Sequence, residues 1–493
     1  VAEPAVDPVP TESLPTESVD VLIVGAGLSG IGAAARLRAE HPELTVAVLE
    51  GRAATGGTWD LFRYPGIRSD SDMYTLGYRW RPWRSDRAMA TGGEILDYLR
   101  ATAEEHGVTE LIRLEHRVVA ASWDSASARW TVRAETPHGP REFSCSLLWS
   151  CAGYYDYAAG YRPSWPGESS YEGRIVHPQE WPEVLDYAGK RVAIIGSGAT
   201  AVTLVPAMAA EAAHVTMVQR SPSYVVNLPA KDPLAVAARR WLPERLSYPI
   251  VRAKKISEAT LGYRLARRFP SRVKKLLVKQ AADQLPTGYD VRRHFTPRYD
   301  PWDERMCFVP DGDLFAAVSR GRASVVTGDI ETFTPRGLRL ADGSEVDADL
   351  VVTATGLRLL PFGGIPLLVD GVPVDLPETM AYRALMLGGV PNFVFTVGYT
   401  NASWTLKADL VADWVCGLLE RMRREGARTV VPQPDPSVTR LPFMDFRSGY
   451  VQRALAHLPA QGDREPWLLR QSYLVDRRTL SKGPSDDGVL QFR

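Results

Sequence analysis

The sequence predicts an α/β fold made of two Rossmann-type dinucleotide-binding domains with a helical insert. Two glycine-rich turns carry that prediction: Gly25-Ala-Gly27-Leu28-Ser29-Gly30 behind the apolar run Val21–Val24, and Gly196-Ser-Gly198-Ala199-Thr200-Ala201 behind Val192–Ile195. The third observation is the stretch Lys231–Lys279, where apolar and basic residues interleave at helical spacing.

In each turn the first glycine permits a tight strand-to-helix reversal. The second lets backbone amides approach a pyrophosphate, and the third position stays small so that helix and strand pack closely. The first copy runs through a helix, Ile31 to Glu40, into the apolar strand Thr45–Leu49, which Glu50 ends. A carboxylate about 20 residues beyond the turn is placed to accept hydrogen bonds from ribose hydroxyls, and it would repel a 2′-phosphate. This half therefore suits the adenosine of FAD or NAD. The second copy closes its second strand, Val215–Gln219, with Arg220 and Ser221. A guanidinium and a hydroxyl together suit the 2′-phosphate of NADP. Two such sites in one chain imply electron transfer between two nucleotide cofactors.

Composition agrees. Over 493 residues, Lys+Arg and Asp+Glu are equal at 58 each, so no global charge draws the chain to nucleic acid or membrane. No apolar run approaches the ~20 residues needed to span a bilayer. The first residues lack a secretory signal order, so a cytoplasmic location is expected. Residues 1–18, rich in Pro, Glu, Thr and Ser, are expected to form a flexible tail.

Four cysteines, at 145, 151, 307 and 416, argue against a disulfide framework or a zinc site, and no metal is expected. Cys145 and Cys151 lie six apart on an apparent strand, sharing a face but too distant to bridge. That disfavours a disulfide reductase.

Two further segments are Gly56-Gly57-Thr58-Trp59-Asp-Leu-Phe-Arg-Tyr64-Pro-Gly-Ile-Arg68-Ser-Asp70 and Tyr171-Glu-Gly173-Arg-Ile-Val-His177-Pro-Gln-Glu-Trp181-Pro182. These resemble the two fingerprints of type I Baeyer-Villiger monooxygenases, with Tyr171 where that family has Phe. Related N-oxidising flavin monooxygenases usually have Tyr or Phe at the position of Trp181. Ser150-Cys-Ala-Gly153, Ala348–Gly356 and Pro391–Trp404 extend the resemblance over nearly the whole chain, toward the actinobacterial ethionamide monooxygenase subgroup.

The resemblance implies FAD and NADPH as cofactors, with O2 and a small ketone or sulfide as the other reactants. It implies that NADPH reduces the flavin, that the reduced flavin takes up oxygen at C4a, and that the resulting peroxide attacks a carbonyl to give an ester or lactone. Neither an obligate protein partner nor nucleic acid is implied. Leu28, Ser29, Gly57, Thr58, Trp59, Asp70 and Val118 fall to the flavin side, and Ala199 and Thr200 to the NADP side.

Arg305 aligns with the family's catalytic arginine, a cation that keeps its proton in a dry site and stabilises developing oxyanions. Asp70 would orient it. The plainer alternatives are a domain-interface salt bridge for Arg305 and a turn-capping aspartate for Asp70. The family usually has Lys before that arginine, whereas this chain has Glu304, which leaves Arg220 and Ser221 to hold the 2′-phosphate. His177 and Trp181 lie between the nucleotide domains and are expected to serve a hinge. The long tryptophan-bearing substrate loop of the cyclic-ketone enzymes has no counterpart, which favours linear or aryl ketones. Leu359–Ile365 and Trp467–Tyr473 are expected to shape the substrate pocket.

The expected FAD domain combines 19–160 with 348–493, because Leu350–Ala354 is read as returning to it. The expected NADP domain combines 165–228 with 303–347, and the insert spans 229–302. Between Lys231 and Lys279 fourteen Lys or Arg stand against Asp232, Glu244 and Glu258. A solvated lid capping the active site is the first expectation for this insert, and weak membrane-surface contact the alternative. Two other functions stay open, a flavin N- or S-oxygenase and an NADPH electron-transfer reductase.

Overall fold

The structure is a computed structural model and describes residues 16–493. Its first sheet forms around Thr16–Val24, whose register pairs Val21 with Val46 on one side and Leu147 on the other. Val46–Leu49 is buried at every position, as a strand covered on both faces requires. Helix α1, Leu28–Glu40, packs on one face beside the long helix Trp404–Glu425, to which Arg36 is tied by a 3.2 Å contact with Asp413.

The sheet is mixed rather than wholly parallel. Arg117–Asp124, Arg129–Glu135 and Arg141–Ser150 pair antiparallel, and Arg129–Glu135 alternates buried and exposed residues as a half-solvated strand does. The strand Phe393–Phe395 comes back from the far end of the chain to lie parallel to Arg141–Ser150. The expected tail ends earlier than residue 18, since Thr16–Ser18 pair with Glu142–Ser144 where the ten-residue neighbour offers free backbone groups. The rest of that tail lies outside the described residues.

The second sheet is wholly parallel. Its order is Ala323–Thr327, His214–Gln219, Arg191–Ile195, Leu350–Thr353 and Arg174–Val176. Leu350–Thr353 therefore belongs here and not to the first sheet as expected. All four of its residues are buried, and parallel neighbours on both edges satisfy its backbone, as befits a central strand covered on both faces. The return to the first sheet follows it. Helix α2, Ala199–Met208, covers this sheet.

Three long helices carry the insert, α3, Pro233–Trp241, α4, Glu244–Arg268, and α5, Pro270–Ala282, followed by one short helical turn, Val291–His294. They do not cap the central cavity, whose wall takes no residue between Ser223 and Glu304. Instead α4 docks on the first domain. Its Arg252 donates to the carbonyls of Tyr74 and Gly77 at 2.8 and 2.7 Å and pairs with Asp409 at 3.0 Å, while the Tyr248 hydroxyl donates to the carbonyl of Tyr78. Among the described residues, no helix is long and apolar enough to cross a membrane.

Candidate active site

Both glycine turns open on one cavity of about 1160 Å³. At the first, Gly25 has φ +101°, and a Cβ there would stand 2.7 Å from the carbonyl oxygen of Cys151. At the second, Gly196 has φ +136° and a Cβ would meet the Ala354 oxygen at 2.3 Å. Each turn thus lies against the end of a neighbouring strand, with no room for a side chain. Gly30 is excluded from carrying one by the Gly25 carbonyl, 1.8 Å from its would-be Cβ, so the third glycine serves helix-to-strand packing and does not line the cavity.

Gly27 and Gly198 are the N-cap residues of α1 and α2, and neither offers a side-chain cap. Their first-turn amides and dipoles are available to an anion, and both helix starts lie on the cavity wall. Gly27 and Gly57 face each other so closely that a Cβ on Gly57 would lie 3.1 Å from the Gly27 Cα, a cradle that side chains would fill. The residues present fit one dinucleotide at each turn.

Glu50 is buried on the cavity wall and accepts amide protons from Ala26 at 2.8 Å and Arg52 at 3.0 Å. Burial pushes its carboxyl up, against the pull of those two amides. Leu28, Ser29, Thr58, Trp59, Asp70 and Val118 line the same wall. Ser29 accepts from the Trp404 indole at 2.8 Å, and Thr58 lies 3.1 Å from the Tyr157 hydroxyl.

On the second turn's side, Ala199, Thr200, Arg220 and Ser221 line the cavity. So does Glu304, whose carboxyl is pushed up by burial while Arg220 acts in the opposite direction. Arg220 and Glu304 are thus electrostatic neighbours at the site read for a 2′-phosphate.

Arg305 and Asp70 meet on the cavity wall. The Arg305 Nε and a terminal nitrogen donate to the two Asp70 oxygens at 3.2 and 3.1 Å, a fork-on-carboxylate geometry. The Asp70 carboxylate holds the Arg305 guanidinium well above its ordinary range, more than offsetting burial. Sequence reasoning missed the phenols around this pair. Tyr154 and Tyr155 have hydroxyls 3.3 Å apart, and Tyr450 stands on the same wall. Burial raises all three, Tyr155 to about 12, so they stay protonated at neutral pH. The first two follow the strand end Ser150–Gly153, where α/β sites gather, so a signal for them existed. None existed for Tyr450.

Not every expected residue reaches the cavity. His177 is buried, with Nδ1 accepting from the Gln179 amide at 3.2 Å and Nε2 lying 3.3 Å from the Gly356 oxygen. Burial lowers its imidazole. Trp181 packs against the core of the second domain. The hydroxyl of Tyr171 donates to the Ala348 carbonyl at 2.9 Å, so the extra oxygen in that fingerprint is satisfied. Leu360, Gly363 and Ile365 line the cavity as expected, but Trp467–Tyr473 does not, because Trp467 is fully buried in the first core. Ser448, Tyr450 and Arg453 take that place.

Cys145 and Cys151 are unbridged, and their cores lie on opposite sides of the first sheet rather than on one face. The strand changes face between Cys145 and Leu147, which even spacing could not show. Burial pushes both thiols up to about 12.

The comparisons with known proteins fit this geometry. A Flavin-binding monooxygenase-like family model matches residues 87–282, and an NAD(P)-binding Rossmann-like domain model matches residues 23–87. The chain is 51% identical over 479 residues to the FAD-containing monooxygenase EthA of Mycobacterium tuberculosis, spanning 97% of this chain and 98% of that one. The chain belongs to the EthA family of FAD-containing monooxygenases. It is 50% identical over 479 residues to EthA of Mycolicibacterium smegmatis, spanning 97% of each. Its fold is similar to that of an oxidized steroid monooxygenase bound to NADP, with a TM-score of 0.70 and 24% identity over 85% of this chain and 88% of that one. It is also similar to cyclohexanone monooxygenase from Rhodococcus sp. Phi1 bound to NADP+, with a TM-score of 0.68 and 21% identity over 85% and 87%.

Proposed function

We propose that this EthA-family chain is an NADPH-dependent Baeyer-Villiger monooxygenase, inserting one oxygen atom of O2 beside the carbonyl of a small linear or aryl ketone to give an ester, and oxidising sulfides as well. The observation that carries this reading is the Arg305–Asp70 pair on the wall of the cavity both glycine turns share. FAD, when bound and reduced by NADPH, supplies the activation of O2.

The α1 amides and Gly27 hold the FAD pyrophosphate, and Glu50 takes the ribose hydroxyls. The α2 start holds the NADP pyrophosphate, with Arg220 and Ser221 at its 2′-phosphate. Arg305 stabilises the negative charge that develops on the ketone oxygen, and it acts without changing its own proton count. Asp70 is a positioning residue that fixes the plane of that guanidinium. The protonated phenols of Tyr154, Tyr155 and Tyr450 add neutral donors around it. His177 and Trp181 serve the passage between the two domains, which we place at 16–160 with 357–493 and at 165–228 with 303–356.

Supplying NADPH, O2 and a panel of ketones and sulfides to the FAD-loaded enzyme tests this reading. Ester formation from a ketone supports it. Oxidation of sulfides and amines with every ketone left intact assigns the site to a flavin N- or S-oxygenase instead.

A further inference from the structure

The insert turns an apolar stripe outward. On α4 the side chains of Leu246, Ile250, Leu261 and Leu265 are 50, 48, 58 and 44% exposed. At 3.6 residues per turn these four positions fall within about 100° of one another and stretch over roughly 28 Å of helix. The opposite face holds the buried Tyr248, Val251, Arg252 and Ile256. Trp241, 77% exposed, stands just before α4, and Phe269 just after it. Between Ile250 and Leu261 the same arc carries Lys254 and Ser257, so the four form two apolar pairs, one toward each end of α4 and each beside an exposed aromatic. Isolated exposed leucines are ordinary, but paired patches of this kind mark a contact surface.

The charges around the stripe have one sign. Asp232 and Glu258 are taken by Lys254 and Lys255, and Glu244 by Arg84. Among the described residues Arg240, Arg245, Arg264, Arg268, Arg272 and Lys275 have no carboxylate partner. Arg264 and Arg268 fall on the same outward arc as the leucines. Arg240 stacks on the Trp241 ring at 5.5 Å, and Arg268 and Arg272 on Phe269 at 5.2 and 5.4 Å. The whole chain is charge-balanced, so this excess is local.

We infer that the α3–α5 insert docks on an anionic lipid surface, with Trp241, Leu246, Ile250, Leu261, Leu265 and Phe269 entering the headgroup boundary and the free arginines meeting lipid phosphates. The surface carries aliphatic side chains and long mobile cations in place of a shaped pocket, which suits a fluid interface, and the stacked Trp–Arg pair is the amphipathic anchor that boundary selects. This inference does not depend on which reaction the cavity performs.

The test is flotation of the FAD-loaded protein with vesicles of phosphatidylcholine alone or with one-third phosphatidylglycerol. Binding to the anionic vesicles is expected, with little to the neutral ones and release as salt rises from about 0.1 to about 1 M, where the Debye length falls from ~10 to ~3 Å. The double variant Arg264→Gln/Arg268→Gln loses about fivefold in affinity per charge removed. Leu261→Ser/Leu265→Ser loses a comparable amount without any change in charge. Both keep their FAD absorbance and NADPH oxidation, which shows that they are folded. Equal binding to the two lipids, no binding to the anionic vesicles at low salt, or wild-type binding by either variant overturns the inference. Self-association abolished by the same variants, with no vesicle binding, assigns the face to a second copy and overturns it equally.

Discussion

Arg305 and Asp70, 235 residues apart in the chain, meet fork to carboxylate at 3.1 and 3.2 Å on the wall of the cavity. Asp70 comes from the loop ahead of the short helix Met73–Leu76, and Arg305 from the loop entering the strand Cys307–Pro310. The contact therefore joins two distant segments of the chain and fixes the plane of the cation on the cavity wall.

Replacing Arg305 with Ala is expected to lower ester formation by about 10²–10³-fold, the range for loss of one preorganised charge donor. FAD binding stays intact, since the flavin-side residues are untouched. Arg305→Lys does not restore the rate, because an ammonium cannot make the two-point contact with Asp70. Product yield per NADPH, with flavin content measured in parallel, checks both points.

Asp70→Asn keeps an acceptor but removes the charge and one half of the fork. A drop of roughly tenfold in kcat is expected, with the ketone KM little changed, as for a residue that acts through another. A variant whose KM rises while kcat holds would place Asp70 in substrate binding instead.

Glu304 faces the cavity beside Arg220, where a phosphate dianion would be repelled. Glu304→Lys is expected to lower the NADPH KM about tenfold, a change of ~1.4 kcal/mol, and to leave the NADH KM nearly unchanged. Steady-state kinetics with the two coenzymes separate this from a general gain in binding.

A fourth prediction concerns stability. Asp232 caps α3 through the Ala235 amide at 2.9 Å and lies 2.7 and 2.6 Å from Lys254 and Lys255. Burial raises its carboxyl, but the two ammonium groups outweigh that and bring it to about 2, below the usual 3.8. A lowered folded-state value stabilises the protein above pH ~4 and is lost as pH falls toward ~2. Asp232→Asn should therefore cost about 2 kcal/mol at pH 7, and the gap to wild type should narrow through that acid window. Denaturant melts at several pH values measure it.

The parts of this molecule legible in its sequence are those where backbone geometry dictates residue type. Gly25 and Gly196 occupy positive-φ positions pressed against a neighbouring carbonyl, so their spacing exposed both nucleotide turns. Leu350–Thr353 reads as a strand of the first sheet yet lies in the second, because four buried apolar residues suit a central strand of either. The helical spacing of Leu246, Ile250, Leu261 and Leu265 identified a helix but not its orientation. Periodicity gives an angle, not what lies beneath it, and here the inner face is held by hydrogen bonds from Tyr248 and Arg252. Tyr450 reaches Arg305's surroundings from a C-terminal segment with no local pattern to announce it.

The most direct measurement uses oxygen-18 gas with the FAD-loaded enzyme, NADPH and an aryl ketone such as phenylacetone, followed by mass analysis of the product. The predicted result is an ester carrying one labelled atom, formed in step with NADPH consumed and lowered about 10²–10³-fold by Arg305→Ala. NADPH consumption with unchanged ketone and stoichiometric hydrogen peroxide, or labelled ester undiminished in the variant, would contradict it.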